Sequence, residues 1–131
     1  MTVRYVLDTD AVVDVLRARH RVADRLATVS PDDVAICSMT LAELLYGAQC
    51  SHQPTRSELA VRRFVEVVRV LAFGRAAAAI HGRIRHSTRH KTVGSNDLVI
   101  AATALAAGAT IVTANSREFD RIPGLAAENW R

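Results

Sequence analysis

The stretch VRYVLDTDAVVDVL, residues 3–16, decides the fold, because a short apolar run ends in two carboxylates one residue apart. Val3 and the run 5–7 are rich in β-branched and aromatic side chains, which predicts a buried strand. Asp8 follows this strand directly, and Asp10 opens the next segment. A carboxylate at the end of a buried strand is costly unless it reaches water, a cation or a helix N-terminus. We therefore expect Asp8 at the carboxyl edge of a parallel sheet, where ligands bind in α/β proteins.

Short apolar runs alternate with helical patterns along the rest of the chain. Further strands are predicted at 34–37, 70–73 and 110–113, and helices at 11–19, 22–29, 41–48, 58–68, 75–90 and 97–107. The valines of the first helical segment would also suit a strand. No repeat, low-complexity segment or linker interrupts the alternation. The pattern predicts one α/β domain over residues 1–131, with a short, mostly parallel sheet covered by helices on both faces.

The composition is that of an ordinary globular protein, half hydrophobic and about a quarter charged. The longest apolar runs are far shorter than a membrane span, and the first residues lack the pattern of a signal peptide. We therefore expect a cytoplasmic protein without membrane association. Cys37 and Cys50 have neither the spacing of metal ligands nor the density of a disulfide scaffold. Cys37 lies in a predicted strand and is expected to be a buried, reduced thiol.

The chain is basic, with a formal net charge of +4. Lys91 is the only lysine among 17 basic residues. Arginine suits bidentate phosphate contacts and stacking on bases, although arginine usage also follows genomic base composition. A basic run closes the helix predicted at 75–90. This run is either a contact for the RNA backbone or a solvated helix end, where cations interact favourably with the helix dipole. Its members are Arg83, Arg85, Arg89 and Lys91.

Four of the 13 carboxylates occupy positions that ordinary surface charges do not: Asp8, Glu43, Asp97 and Glu118. Each also has a purely structural explanation. Asp8 and Asp97 suit helix N-termini. Glu43 fits a capping box with Thr40, and Glu118 fits a solvated turn. Taken together, all four follow strands or begin helices, which predicts that they share one edge of the parallel sheet.

A group of carboxylates at one sheet edge predicts a cation. Such groups repel one another and raise their own pKa values unless a cation neutralises them. Oxygen ligands without His or Cys suit Mg²⁺ or Mn²⁺ rather than zinc. Such an ion lowers the pKa of a bound water, orients it, and stabilises charge on a phosphate during in-line displacement. With basic residues around the acids, the sequence predicts a metal-dependent nuclease.

Four sequence blocks resemble the signature blocks of PIN-domain proteins. They are VLDTD (6–10), SMTLAELLYG (38–47), NDLVIAA (96–102) and TANSREF (113–119). Their order, their spacing and the chain length resemble the VapC toxins of bacterial toxin–antitoxin pairs, over nearly the whole chain. The resemblance implies a small α/β/α ribonuclease that uses Mg²⁺ or Mn²⁺ to cut RNA, such as tRNA or rRNA loops. It also implies a homodimer, and a cognate VapB-type antitoxin whose tail lies across the acidic site.

The resemblance also implies roles for single residues. Asp8 and Asp97 match the principal metal ligands, and Glu43 matches a third acid that positions the metal or water. Glu118 matches a more variable fourth acid. Asp10 stands where the family most often has asparagine, so it would either join the metal shell or only cap the helix. Thr113 and Asn115 match polar residues that support the acids, and Asn115 competes with Glu118 for the fourth position. Ser38 and Thr40 would either support the acids or cap their helix.

Two other readings of the motifs lead to different functions. An apolar strand ending in Asp-x-Asp also opens haloacid-dehalogenase-like phosphatases, in which Asp8 would be the nucleophile and Asp10 the acid/base. That family resembles this chain less, because it has a lysine before a late acidic pair. Lys91 lies in a basic run, and Asp97 has no acidic neighbour. The other alternative is a non-catalytic PIN-like module that binds RNA or protein. Its mark would be the loss of one main acid, and all three are present.

Overall fold

Five short strands form one parallel sheet in the computed structural model, which describes residues 2–131. In chain order they are β1 (Tyr5–Leu7), β2 (Val34–Cys37), β3 (Arg69–Leu71), β4 (Thr110–Val112) and β5 (Ala127–Glu128). Their order across the sheet is β3-β2-β1-β4-β5, and all four pairings are parallel. Every residue of β1 and β2 is buried, which explains why these strands are continuous apolar runs.

Helices cover both faces of this sheet. They are α1 (Thr9–Leu16), α2 (Val22–Leu26), α3 (Ser38–Gln49), α4 (Pro54–Val67), α5 (Arg75–Ser87), α6 (Ser95–Ala106) and α7 (Ser116–Phe119), with a 3₁₀ turn at Pro31–Asp33. Alternate strand residues face opposite cores. Val6 and Ile111 pack with residues of α5, α6 and α7, whereas Leu7 and Val112 pack with residues of α1 to α4. The predicted α/β class, with its helical layer on each face, is confirmed.

Several predicted boundaries were wrong. Helix α3 begins at Ser38 rather than at 41, directly after β2, and α4 begins at Pro54 rather than at 58. Proline suits the first turn of a helix, because that turn needs no backbone N–H donor. Helices α2 and α5 end earlier than predicted. The strand β5 was not predicted at all, because two residues carry no alternation that a sequence pattern could detect.

The helix cap agrees with one of the two candidates for α1 and differs from the predicted one for α3. Asp8, and not Asp10, caps α1, because Asp8 Oδ1 accepts a hydrogen bond from Ala11 N at 2.8 Å. The cap of α3 is Cys37, whose Sγ accepts from Met39 N at 3.4 Å. Gly94 precedes α6 without a side-chain cap. Among the carboxylates near these helix starts, only Asp8 caps its helix, and it also belongs to the group of acids at the sheet edge. The others make contacts other than helix caps.

The expectation of a buried thiol is confirmed, and an aromatic residue near the end of the chain packs against β1. Cys37 is a free, buried thiol, and its Sγ donates to Thr103 Oγ1 at 3.2 Å. Trp130 packs edge-on against Tyr5, with 5.1 Å between ring centroids, so it serves terminal packing. No helix within residues 2–131 is long and apolar enough to cross a membrane.

Candidate active site

The carboxyl edge of the sheet gathers the predicted acids. Asp8 follows β1, and its backbone N donates to Val112 O at 3.0 Å, which sets Asp8 beside the end of β4. Asp97 lies in the first turn of α6. Its carboxyl is close enough to Asp8, Glu43 and Glu118 that each of them raises its pKa. The four acids therefore lie at the same edge of the sheet, where Asn96 next to Asp97 donates to Glu43 and a Cβ at Gly94 would meet both Asp97 and Glu118.

Asp8 is the most deeply placed of the four acids, at 5% exposure. Burial raises its pKa to about 6, and the charge of Asp10 adds to the rise. Hydrogen bonds from the Thr113 side chain and from Ala11 N, and the charge of Arg131, act in the opposite direction. The helix cap predicted as a structural explanation therefore exists, and the same carboxyl also carries an unfavourable charge in a buried position.

Asp97 and Glu118 share a hydrogen bond. Burial, this hydrogen bond and the charges of the nearby acids together raise the pKa of Asp97 to about 7. The pKa of Glu118 is lowered, first because Gly94 N donates to its Oε1 at 2.7 Å. Asn115 Nδ2 donates to Glu118 Oε2 at 2.6 Å. Glu118 therefore keeps the negative charge, and Asp97 is the member of the pair that takes up a proton as the pH falls through about 7.

Glu43 does not form the predicted capping box. Its Oε1 accepts from Thr9 Oγ1 at 2.6 Å, and its Oε2 accepts from Asn96 Nδ2 at 3.3 Å. The fully buried Thr40 lies under this contact, with its Oγ1 3.3 Å from Thr9 Oγ1. The carboxylate thus links α3 to the starts of α1 and α6, and its direction is fixed by two donors from other elements.

Of the predicted supporting residues, Thr113 and Asn115 contact the acids, whereas Ser38 bonds elsewhere. Thr113 bonds Asp8, and its Oγ1 also accepts from Asn115 N at 2.9 Å. Asn115 supports Glu118 rather than competing with it. Ser38 lies away from the acids, because its Oγ accepts from Phe73 N at 3.2 Å and ties α3 to the end of β3. Asp10 is exposed and acts on Asp8 through its charge.

Sequence reasoning missed several residues that shape this edge, among them Thr9, Gly94 and Asn96. Thr9 lies between two aspartates, and Asn96 is the first residue of the block 96–102. A Cβ at Gly94 would lie 3.1 Å from Asp97 Oδ2 and 3.6 Å from Glu118 Oε1. Its lack of a side chain therefore leaves room for the two carboxyls to meet. A glycine immediately before a helix whose first turn carries an acid is the signal that could have revealed it.

The donor set fits a divalent cation, although it is not a ready-made shell. Within residues 2–131, no three His, Cys, Asp or Glu side chains converge closely enough to hold a metal ion as they stand. Glu43 and Glu118 are instead turned onto protein donors. The raised pKa values of Asp8 and Asp97 are those of acids that a cation would neutralise. Oxygen-only donors suit Mg²⁺ or Mn²⁺.

A basic groove of about 420 Å³ lies between α5 and α6. Arg85, Arg89 and Lys91 line it, and Ser95 brings it to within two residues of Asp97. Arg83, predicted with this group, does not line the groove, because residues two apart point to nearly opposite sides of a helix. The remaining lining residues are His81, Thr88, Val93 and Leu98.

A second, more apolar groove of about 230 Å³ runs between α1, α3 and α4. Thr9 and Glu43 lie at its rim, and Leu44 and Val61 are part of its wall. The acidic edge is thus bordered by a basic groove near α6 and an apolar one near α3.

Comparisons with known proteins agree with this architecture. A model of the PIN domain matches residues 5–125. The tRNA(fMet)-specific endonuclease VapC of Shigella flexneri is 34% identical over 129 residues, covering 97% of this chain and 98% of the relative. Ribonuclease VapC2 of Haemophilus influenzae has the same identity and coverage. The structure of Rickettsia felis VapBC2 bound to a promoter DNA fragment superimposes with a TM-score of 0.90 at 32% identity, over 97% of this chain and 98% of that one.

The family model covers most of the chain, and the relatives match it from end to end at more than 30% identity. These matches and the parallel sheet leave one assignment: this chain is a PIN-domain protein of the VapC ribonuclease family.

Proposed function

We propose that this chain is the toxin of a toxin–antitoxin pair, an endoribonuclease that hydrolyses the RNA backbone with Mg²⁺ or Mn²⁺. The observation that carries the proposal is the pKa of Asp97, raised to about 7 by burial and by three further carboxyls. Such a cluster is unfavourable on its own, and acids whose pKa values are strongly perturbed in a cleft are typical of active sites. The VapC relatives are named as ribonucleases, which supports the same activity.

In this proposal, Asp8 and Asp97 hold the ion and Glu43 completes its surroundings. The ion would polarise the phosphate and activate the attacking water. Glu43 is positioned by Thr9 and Asn96 and would orient that water and accept its proton, as the bond from phosphorus to the leaving ribose oxygen breaks. Glu118 is fixed by Gly94 and Asn115 and would add its negative charge to the surroundings of the ion beside Asp97.

The proposed partner is a VapB-type antitoxin that lies across the acids. Structures of VapBC complexes from Rickettsia felis and Salmonella typhimurium both superimpose on this chain with TM-scores of 0.90. A protein segment that covers Glu43 would also meet the apolar groove between α1, α3 and α4. We further propose a homodimer that acts in the cytoplasm on structured RNA, with transfer RNA as the first substrate to test.

The test is cleavage of total bacterial RNA by the purified chain, freed of any bound partner, with Mg²⁺ or Mn²⁺ and in parallel with EDTA. We expect discrete cuts that disappear with the chelator, and sequencing of their ends identifies the RNA and the position. Phosphate release from a small phosphoester without RNA cleavage would instead indicate a phosphatase. Metal-independent RNA binding with no cleavage would indicate a non-catalytic module.

The basic groove supplies a prediction about RNA affinity. Arg85→Ala with Arg89→Ala should weaken RNA binding and reduce the slope of log K against log salt by about 1.4, because each lost phosphate contact on single-stranded RNA contributes about 0.7. The measurement is fluorescence anisotropy over a salt series in EDTA. The matched control is Arg75→Ala with Arg83→Ala, which removes the same charge from α5 outside the groove. Equal slopes for the two double variants would refute the assignment of the groove.

A further inference from the structure

A buried ion pair lies on the side of the acidic edge opposite the basic groove. Asp14 is only 3% exposed, and it faces the guanidinium of Arg131. Arg131 Nε donates to Asp14 Oδ2 at 2.8 Å, and Nη2 lies 3.4 Å from Oδ1. The Arg131 side chain itself is 40% exposed. The pair thus holds one side of a guanidinium against the protein and leaves the other side open to solvent.

The topology brings this guanidinium to the acidic edge. Strand β5 pairs in parallel with β4, and Thr113 N donates to Glu128 O at 2.9 Å. The chain after β5 therefore leaves the sheet at the same edge as Asp8. Asp14 lies one helical turn beyond Asp10 on α1. The charges of Asp8 and Asp10 both raise the pKa of Arg131, which indicates how near the guanidinium lies to the acids.

Stability alone does not explain the pair. Burial of a carboxylate is expensive, and a buried ion pair is often no more stabilising than apolar residues of the same size. A guanidinium has five N–H donors, and Asp14 engages only two of its three nitrogen atoms. Within residues 2–131, no other protein acceptor forms a hydrogen bond with this side chain. The remaining donors face solvent beside a cluster of acids that would otherwise repel an RNA backbone.

We propose that Arg131 is a phosphate-binding residue of the RNA site and that Asp14 is the positioning residue that orients it. Arginine presents its donors in a planar fork that matches two phosphate oxygens. Held by Asp14, the fork would bind a backbone phosphate next to the cleaved one, on the α1 side of the acids. This inference rests on the proposed ribonuclease function and adds a substrate contact that the sequence motifs did not contain.

The test compares RNA binding by four variants in EDTA, where a short fluorescein-labelled single-stranded RNA of mixed sequence stays intact. Arg131→Gln should weaken binding about 3–5-fold at low salt and reduce the salt slope by about 0.7. Asp14→Asn keeps the cation but frees it, so the affinity should fall while the slope stays that of the parent chain. The double variant, Asp14→Asn with Arg131→Gln, should again show a salt slope about 0.7 smaller than that of the parent chain. This last variant guards against misfolding, because it leaves no unpaired buried charge.

The matched control is Arg4→Gln, which removes one arginine from an ion pair at the amino edge of the sheet. It should leave both affinity and slope unchanged. If Arg131→Gln and the double variant keep the parent slope while the parent chain cleaves RNA, Arg131 has only a structural role and the inference is overturned. If the parent chain neither binds nor cleaves RNA, the proposed function itself fails.

Discussion

Asp97→Asn is expected to abolish RNA cleavage and, in the absence of metal, to stabilise the fold. Loss of one preorganised charged group at a reacting centre typically lowers kcat by about 10²–10³-fold. The same carboxyl is unfavourable in the metal-free protein, because burial and neighbouring acids raise its pKa to about 7. Asparagine keeps the shape of the side chain and removes the charge. The variant should therefore be less active and more stable at the same time.

The pH dependence of the stability follows from the raised pKa of Asp97. A folded pKa above the ordinary value of 3.8 means that the native chain binds more protons than the unfolded chain between about pH 4 and pH 7. Stability of the parent chain in EDTA should therefore fall as pH rises through that range. At pH 8, Asp97→Asn should be more stable by about 1 kcal/mol, or roughly 4 °C in Tm, once its half-exposed position is taken into account.

Thermal unfolding in EDTA at pH 4 and pH 8 measures the effect, with RNA cleavage in Mg²⁺ assayed alongside. The difference between the two proteins should become small at pH 4, where Asp97 is protonated in the folded chain and the pH is close to its ordinary pKa of 3.8 in the unfolded chain. Asp32→Asn serves as a control, because it removes an exposed carboxylate before β2, at the amino edge of the sheet. If Asp97→Asn is less stable than the parent chain at pH 8, repulsion among the acids does not destabilise the fold.

Phe119→Ala should destabilise the chain by about 3–5 kcal/mol. Phe119 is 1% exposed and packs in the core shared with α6, directly after Glu118 in α7. The total stability of a domain is about 5–15 kcal/mol, so this one truncation removes a large part of it. Because the same short helix carries Glu118, the loss should also release that carboxylate from its position against Gly94.

Urea denaturation measures the loss as a shift in midpoint with an unchanged slope. Phe73→Ala is the matched control, since Phe73 is 36% exposed and contacts His81 edge-on. It should cost less than about 1 kcal/mol. Phe119→Leu, expected to cost about 1–1.5 kcal/mol, keeps the fold intact and lets the activity be measured separately. Comparable losses for Phe119→Ala and Phe73→Ala would contradict the predicted core position.

The sequence was most informative where a residue's neighbours in the chain determine its environment. Strand β2 was predicted with its observed bounds, because a four-residue apolar run between turns has few alternatives. The edge position of Asp8 followed from the same logic. Asp97 could be placed beside Asp8 only through the assumption of a parallel sheet, which the pairing of β1 with β4 confirmed.

The parts that could not be predicted depend on contacts between distant segments. Glu43 satisfied the local rule for a capping box with Thr40, yet its carboxylate bonds Thr9 and Asn96, which lie 34 and 53 residues away. Local hydrogen-bond patterns lose to partners that only the tertiary fold brings close. The pairing of Asp14 with Arg131 spans 117 residues and left no periodic or motif signal. Metal ligation and RNA contact by all these residues stay predictions.

The two edge strands restrict how this molecule can associate with others. Strand β3 has three residues and β5 only two, so each outer margin of the sheet offers very few unpaired backbone groups. An incoming strand would find almost no template for pairing there. Self-association and recognition by another protein therefore have to use helical side-chain surfaces, and a chain released from its partner is protected from growing into an intermolecular sheet.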